Sequence, residues 1–315
     1  MQNNMQLNNI NIITDVKSEE NRELLQRVLS RHGCAAEHNY YCYLYTMDKS
    51  EKPYVAVFED DMAIFAKKDT NDNSIRVFTE ILAPSEKKPE VLKNFLNHLY
   101  ENADKEKPKK VWLELTPDTR KSVLKELDNT NYKINKINYT LIWPIFEMDK
   151  WNGESMAGGE WKDIRYYWNR FFRDHKVEFV SADKVPKEDL KKLVLEWKES
   201  RTTGDKAYTD YYMNAIDTNF EGYDHNWVML VDGKVAALTA GFKSNTGYYS
   251  SVGLYSKSID RSNEIANMYD LINLKKLGYS LVDFGGVEKK SLEFKKKFKP
   301  TGFYKTHVFS IVRKN

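Results

Sequence analysis

A glycine-rich segment near the middle of the chain constrains the fold more than any other feature of the sequence. Residues 149–159 read DKWNGESMAGG, and their three glycines and small polar residues stand between two stretches with regular hydrophobic patterns. After this segment, the order of predicted elements starts again from a helix. The chain of 315 residues is long enough for two domains, each with its own core. We therefore predict two domains, residues 1–150 and residues 151–315.

The two halves share one predicted order: a helix, antiparallel strands, a helix, a strand, a helix and a final strand. In the first half, Ser18 precedes a capped helix. Four strands are predicted after it, at Tyr40–Met47, Tyr54–Phe58, Met62–Lys67 and Ile75–Leu82. In the second half, Asp232-Gly233 predicts a β-hairpin, and Gly278 ends a helix that begins at Ser262. The predicted fold class is α+β (mixed α/β), with two units that each contain a mixed, mostly antiparallel sheet flanked by helices.

Composition excludes several classes of protein. Lys plus Arg number 49 and Asp plus Glu number 46, and the net charge of +3 is too small for a dedicated nucleic-acid binder. Cys34 and Cys42 have no CxxC spacing and the six histidines are scattered, so we predict neither a disulfide framework nor a metal site. The sequence has no run of 18 apolar residues and no secretory signal, which predicts a cytoplasmic protein without a transmembrane segment.

The segment Tyr279–Pro300 carries the residues with the clearest chemical potential. An apolar run there ends around Asp283 and is followed by Gly285-Gly286, which predicts a buried strand that closes in a tight turn. A lysine-rich helix follows and does not continue past Pro300. This arrangement suits an anionic ligand or a phosphate-bearing carrier. The alternative is a core strand followed by a solvated lysine face.

A second basic helix is predicted over residues 160–175. Arg165, Asn169 and Arg170 lie off its apolar face, and residues four apart on a helix are neighbours. Bidentate contacts to a phosphate or a carboxylate are one interpretation of this pattern. Simple solvation of the polar face is the other.

These features resemble the acyltransferase fold of the GNAT superfamily of N-acetyltransferases in tandem, as found in the FemABX peptidyltransferases and the catalytic domain of phosphatidylglycerol lysyltransferases. Residues 161–171, WKDIRYYWNRF, are similar to the family's basic helix just after the first unit. The strand that ends around Asp283 and the helix after it are similar to the closing motif, in which the helix carries Phe-Lys-x-x-Phe, here Phe294, Lys295 and Phe298. The similarity spans nearly the whole chain. The layout is most similar to the group that shares the lysyltransferase catalytic domain without its membrane-embedded flippase.

The resemblance implies a transferase with its cleft in the second unit. The donor would be an aminoacyl-tRNA or an acyl thioester, used as a co-substrate rather than as a bound cofactor. In coenzyme A-dependent members, a Q/R-x-x-G-x-G/A loop at a helix N-terminus binds the pyrophosphate. The matching positions, Arg261 to Ala266, carry Glu264 where glycine belongs, and a carboxylate there disfavours coenzyme A by repelling pyrophosphate. Charged tRNA, or another amino-acid donor, is therefore favoured.

The same reasoning singles out candidate catalytic residues. Lys295 is predicted to contact an oxyanion or a phosphate, and Asp283 to act as a base or to orient an amine, with turn capping as the alternative for Asp283. Tyr248 is predicted to donate a hydrogen bond to an oxyanion, with core packing as the alternative. Arg201 begins a polar loop that is a candidate lining of an acceptor pocket. The candidate substrate-binding residues are Arg165, Asn169, Arg170, Arg201, Ser250, Gly285, Gly286, Phe294 and Lys299.

The predicted function is that of a cytoplasmic transferase that moves an aminoacyl group from aminoacyl-tRNA, or an acyl group, onto an amine or hydroxyl. A small molecule, a peptide and a lipid headgroup all remain open as acceptor. Two alternatives remain: an acyl-CoA-dependent N-acyltransferase, and a non-catalytic binding module on the same fold.

Overall fold

The computed structural model describes residues 10–101, 107–201 and 209–314. By packing, the chain divides into two compact units. Unit 1 comprises Met1–Ile142 with Lys305–Asn315, and unit 2 comprises Trp143–Tyr304. The domain boundary between residues 150 and 151 stays a prediction, and the division by packing falls earlier in the chain, inside a strand.

Unit 1 contains a sheet whose strands run in the order β1-β2-β3-β4-β5-β13. Every neighbouring pair is antiparallel except β4 and β5, which are parallel and are connected through helix α3. The elements are β1 (Asn11–Ile13), α1 (Glu19–His32), α2 (Tyr40–Tyr45), β2 (Glu51–Val57), β3 (Ala63–Asp69), β4 (Ser74–Val77), α3 (Lys88–Glu101), β5 (Val111–Leu115), α4 (Pro117–Glu126), β6 (Tyr132–Ile134), the first part of β7 (Tyr139–Glu147) and most of β13 (Gly302–Arg313).

Unit 2 repeats this arrangement, with strands in the order β7-β12-β11-β10-β9-β8. Again one neighbouring pair is parallel, β11 with β12, and helix α8 connects the two strands. The remaining elements are α5 (Lys162–Asp174), β8 (Val177–Ser181), α6 (Lys187–Glu199), α7 (Thr209–Asp217), β9 (His225–Val231), β10 (Lys234–Ser244), β11 (Gly247–Tyr255), α8 (Ser262–Lys276), β12 (Leu281–Asp283) and α9 (Lys289–Lys296).

Local signals in the sequence account for several of these elements. The Asp232-Gly233 hairpin joins β9 to β10 as predicted, because both residues adopt positive φ, at 51° and 78°. Helix α8 is followed by Gly278 with φ of 83°, which is the left-handed conformation that commonly ends a helix. In unit 1, the hydroxyl of Thr116 accepts a hydrogen bond from the N–H of Thr119 at the start of α4.

The predicted strand Tyr40–Met47 is wrong, because Tyr40–Tyr45 forms helix α2. The side chain of Asn39 accepts hydrogen bonds from the N–H groups of Tyr41 and Cys42 and thereby caps this helix. Aromatic residues favour strands by propensity, but here the cap and burial on more than one side of the short helix outweigh that preference.

A β-bulge in β11 decides which of its side chains face which helix. Ala240 pairs with Val252 whereas Gly241 pairs with Ser250, so Ser251 is an extra residue in the ladder. Tyr248 and Ser250 therefore face α8, whereas Val252 packs in the core formed with α6 and α7. Without the bulge, strict alternation would have placed these side chains on one face.

Candidate active site in unit 2

Lys295 lies in the last turn of α9, and its ammonium is held against the loop that follows β12. The ammonium donates hydrogen bonds to the carbonyl oxygen of Phe284 and, over 2.9 Å, to that of Gly285. It also lies 5.7 Å from the centroid of the Phe284 ring. Burial lowers the pKa of Lys295 to about 8, while the Asp283 carboxylate acts in the opposite direction. An ammonium has three N–H donors, so this arrangement leaves one for a further acceptor.

Asp283 ends β12 and is 5% exposed. One carboxylate oxygen accepts a hydrogen bond from the N–H of Gly285 at 2.8 Å, and the other accepts one from the hydroxyl of Tyr304 at 2.7 Å. The carboxylate therefore shapes the turn, as the capping alternative predicted, and it is also joined to a tyrosine hydroxyl. Its predicted role as a base stays a prediction.

Gly285 and Gly286 are glycines for different reasons, a positive φ at position 285 and a close neighbour at position 286. Gly285 has φ of 77°, and a Cβ there would lie 3.6 Å from the ammonium of Lys295 and equally close to the ring of Tyr249. A Cβ on Gly286 would lie only 2.5 Å from the indole of Trp143. Any side chain at position 286 would displace that indole, so glycine is required there.

Three aromatic residues surround this turn, and none of them was singled out from the sequence. Trp143 and Tyr304 stack with ring centroids 5.5 Å apart and an interplanar angle of 11°. The ring of Tyr249 lies 6.2 Å from that of Trp143. The alternation along β11 was a signal for Tyr249. Trp143 comes from β7, which is distant in sequence from the closing motif, whereas Tyr304 follows that motif at the start of β13, where no pattern in the sequence indicated its contact.

Tyr248 and Ser250 lie on the other face of β11, below α8. Tyr248 is 1% exposed, and burial raises the pKa of its phenol. The hydroxyl of Ser250 donates to the carboxylate of Asp270 at 3.3 Å. The structure thus brings Lys295, Asp283, Gly285 and Gly286 together but places these two residues elsewhere, with Tyr248 in the apolar core that was its alternative.

The basic helix α5 uses two of its predicted ligand-binding residues for contacts within unit 2. The guanidinium of Arg165 donates to the carbonyl oxygens of Met156 and, over 3.2 Å, of Gly158, so it fixes the glycine-rich segment. Arg170 forms an ion pair with Asp174 at 3.3 Å. Asn169 is exposed beside them. Contacts of these residues to a phosphate or carboxylate stay a prediction.

The remaining predicted residues lie around α6 and α9. The guanidinium of Arg201 lies 4.2 Å from the centroid of the Trp197 ring, and the loop residues 202–205 lie outside the described residues. Phe294 packs against Phe298 with ring centroids 5.3 Å apart. Lys299 is exposed three residues after the end of α9. Phe294 therefore contributes to the core, and Lys299 presents its charge to solvent.

Glu264 occupies the N-terminal turn of α8, where the resemblance implies a pyrophosphate site. Glu264 is 3% exposed, and its carboxylate pairs with Arg261 at 3.0 Å and with Lys297, just after α9, at 2.8 Å. The guanidinium of Arg261 in turn lies 4.1 Å from the centroid of the Tyr167 ring. The protein thus places its own anion at the positive end of this helix and neutralises it with two cations.

Two features are absent from the part of the chain that the structure describes. No group of three or more His, Cys, Asp or Glu side chains in that part is arranged to hold a metal ion. No helix in the same residues is both long and apolar enough to cross a lipid bilayer.

Comparison with solved structures identifies the fold. L-PGS from Bacillus licheniformis is 16% identical, with a TM-score of 0.62, over 93% of this chain and 92% of that one. A tandem GNAT protein from the clavulanic acid biosynthesis pathway is 11% identical, with a TM-score of 0.61, over 97% of this chain and 98% of that one. FemX is 12% identical, with a TM-score of 0.61, over 92% of this chain and 95% of that one. No family model matches the sequence, and no curated protein matches it significantly.

These likenesses confirm the predicted fold class: two tandem GNAT-like units, each with a mixed, mainly antiparallel sheet flanked by helices. The fold is shared with L-PGS, FemX and tandem GNAT proteins, which is the group that the sequence resembles. At 11–16% identity, these likenesses define the fold but not the reaction, which depends on the residues of the site.

Proposed function

We propose that this protein is a transferase that moves an aminoacyl group from an aminoacyl-tRNA onto an amine or hydroxyl acceptor, with its reacting centre beside Gly285 in unit 2. The observation that carries the proposal is the ammonium of Lys295, held by the carbonyl oxygens of Phe284 and Gly285 with one N–H donor left over. Charge-stabilising donors of this kind, fixed before the substrate arrives, are what acyl transfer requires. L-PGS, FemX and the tandem GNAT protein agree with acyl or aminoacyl transfer as the class of reaction, and the name of the last mentions acetyl-CoA, the donor of the alternative.

In this proposal, the acceptor nitrogen or oxygen attacks the carbonyl carbon of the aminoacyl ester. The carbonyl oxygen becomes an oxyanion, which accepts a hydrogen bond from the third N–H of the Lys295 ammonium. When the tetrahedral intermediate collapses, the bond to the ribose oxygen breaks, that oxygen takes up a proton, and the acyl group stays on the acceptor. The acceptor loses one proton in exchange.

Tyr304 is the group that we assign to receive this proton. Both carboxylate oxygens of Asp283 already accept hydrogen bonds, from Gly285 and from Tyr304, so Asp283 acts through the tyrosine. The acceptor's proton would pass to the Tyr304 oxygen while the tyrosine's own proton passes to Asp283. The reverse transfer, from Asp283 to Tyr304 and from Tyr304 to the departing ribose oxygen, would supply the proton which that oxygen takes up and restore both residues. This refines the role predicted for Asp283.

Replacing Tyr304 with phenylalanine is expected to reduce the rate of transfer by about 100-fold, the lower end of what a positioned acid or base contributes. The pH dependence of the rate should also change, since the relay to Asp283 is lost. Tyr166→Phe is the matched control, because Tyr166 is 58% exposed on α5. An unchanged rate and pH profile in Tyr304→Phe would remove the tyrosine from the mechanism.

The Glu264 cluster favours aminoacyl-tRNA over coenzyme A as the donor. A diphosphate at the N-terminus of α8 would have to displace the Glu264 carboxylate from Arg261 and Lys297. Calorimetric titration with acetyl-CoA should therefore show no tight binding to the wild-type protein. Glu264→Gly should bind at least about tenfold more tightly, because it frees both cations and opens the helix terminus.

Glu264→Gln is the control for this titration. It removes the negative charge but keeps a side chain that blocks a diphosphate from the N-terminus of α8. Tight, stoichiometric binding of acetyl-CoA to the wild-type protein would contradict the tRNA donor and favour the acyl-CoA-dependent N-acyltransferase.

The direct test of the proposed function is a transfer assay. Purified protein is incubated with tRNA charged with labelled amino acids and with a cell extract that supplies acceptors, and new product masses that carry the label are sought. Deacylated tRNA is the control. If neither charged tRNA nor acyl-CoA gives a protein-dependent product, the non-catalytic binding module is the better interpretation.

A further inference from the structure

The layer between α8 and the sheet of unit 2 contains an unusual concentration of buried polar groups. Asp270 of α8 is fully buried, and its carboxylate accepts hydrogen bonds from the hydroxyls of Ser250 and Thr239 on the strands below. Two glycines, Gly241 and Gly253, lie in these same strands. Small and polar residues therefore interrupt the apolar packing of α8, whose Met268 and Leu271 belong to the same hydrophobic cluster as Tyr248.

Four polar atoms in this layer have no hydrogen-bond partner among the residues that the structure describes. They are Asp270 Oδ1, Tyr248 Oη, Asn273 Nδ2 and Trp227 Nε1. Asp270 and Asn273 are three residues apart on α8 and hence neighbours. Trp227 pairs across the sheet with Thr239, which contacts Asp270. Buried polar groups in native proteins nearly always have a partner, so four such atoms in one layer require one.

Tyr248 lies close both to the polar groups around Asp270 and to residues at the protein surface. It is two residues from Ser250 on the same face of β11, and the charge of Asp270 is among the causes that raise the pKa of the phenol. Its ring lies 5.8 Å from that of His225 and 5.0 Å from that of Tyr279. His225 and Tyr279 are joined by a hydrogen bond of 3.1 Å and line an open surface pocket of about 520 Å³.

We propose that this layer is an internal hydration site, in which ordered water molecules bind to Asp270, Tyr248, Asn273 and Trp227 and exchange with solvent past His225 and Tyr279. Water is the smallest ligand that both donates and accepts, which this set of groups demands. Tyr248, Asn273 and Trp227 offer donors, whereas Asp270 offers an acceptor when its carboxyl is ionised and both a donor and an acceptor when it is protonated. Each bound water would find the two to four polar partners that an internal water needs.

The state of Asp270 agrees with such a site. Burial raises the pKa of its carboxyl from 3.8 to about 7, and the hydroxyls of Ser250 and Thr239 act in the opposite direction. Near neutral pH, much of the carboxyl is therefore protonated, and its O–H requires an acceptor. A water molecule supplies that acceptor while donating to the carbonyl oxygen, and no counter-ion is then needed.

The sign of a stability change in Tyr248→Phe tests the proposal. If water binds the phenol, removing the hydroxyl loses a hydrogen bond and lowers the thermal unfolding midpoint by about 2–4 °C. If the layer is dry, the same change removes an unsatisfied buried hydroxyl and raises the midpoint. Tyr43→Phe is the matched control, since Tyr43 is equally buried but its hydroxyl donates to the carbonyl oxygen of Ala66 at 2.6 Å.

The expected result is that both variants lower the midpoint. A rise or no change in Tyr248→Phe, alongside a fall in Tyr43→Phe, would overturn the proposal. A high-resolution crystal structure of the wild-type protein gives a second readout. Solvent density within hydrogen-bonding distance of Asp270 Oδ1 and Tyr248 Oη supports the site, and clear density without solvent there overturns it. Neither measurement depends on the transferase activity.

Discussion

Replacing Lys295 with methionine is expected to lower the rate of aminoacyl transfer by about 100-fold to 1000-fold, which is the usual loss when one oxyanion donor is removed. Methionine has nearly the same length and shape, so the packing against Phe284 is kept. The fold should survive, because two effects on stability oppose each other. The variant loses the hydrogen bonds from the ammonium to Phe284 and Gly285, but it also removes the desolvation cost of burying that ammonium. The measurement is single-turnover transfer from charged tRNA, with the unfolding midpoint as the check on folding.

Lys296→Met is the matched control, because the adjacent Lys296 points to solvent and pairs with Glu293 at 2.7 Å. Its rate should change by less than about twofold, as expected for an exposed ion pair. Equal losses in Lys295→Met and Lys296→Met would indicate that the general positive charge of α9 matters rather than one ammonium. An unchanged rate in Lys295→Met would remove the proposed reacting centre altogether.

Replacing Gly241 with alanine is expected to destabilise the protein by about 3 kcal/mol or more, which is a large effect for one methyl group. A Cβ at this position would lie 2.2 Å from the backbone oxygen of Tyr249 and 2.6 Å from the hydroxyl of Tyr248. A backbone oxygen in a paired strand cannot move away without disturbing the ladder between β10 and β11. Urea unfolding measures the loss.

Gly253→Ala is the matched control for Gly241→Ala in the neighbouring strand β11. The nearest atom to a Cβ at position 253 is Asn267 Oδ1 at 4.0 Å, and its φ is not positive, so alanine fits. Alanine there should leave stability unchanged or slightly increased. If both variants lose the same stability, the close approach at Gly241 is not the cause.

Much of the fold could be predicted from the sequence because its signals are local. A hairpin dipeptide, a helix-ending glycine and amphipathic helices each report on a few neighbouring residues, and together they gave the repeated order of elements. The prediction of a strand at Tyr40–Met47 was wrong because it, too, used only local signals. Propensity counts residues one by one, whereas the Asn39 cap and the burial of α2 depend on how the segment packs.

The candidate site was predictable only in the part that is continuous in sequence. Asp283, Gly285 and Lys295 belong to one closing motif, and the structure brings them together. Trp143 joins them from β7, far away along the chain, and Tyr304 joins them from the start of β13, just after the motif. No periodicity in the sequence reports either contact. Tyr248 was predicted as a donor, but Tyr249 is the residue of β11 beside the closing motif. Alternation along β11 separates two faces and does not say which of them contacts that motif.

The discontinuity of unit 1 has a consequence for the order in which a ribosome can complete the two units. All of unit 2 has been synthesised once Tyr304 is made, but β5 of unit 1 pairs with His307–Ile311, which come later. Until then β5 is an open sheet edge, and the core of unit 1 lacks Phe309 and Ile311. The half that is translated first is therefore finished last, so a premature stop just after Tyr304 would spare unit 2 and leave a nascent unit 1 prone to pairing with other chains.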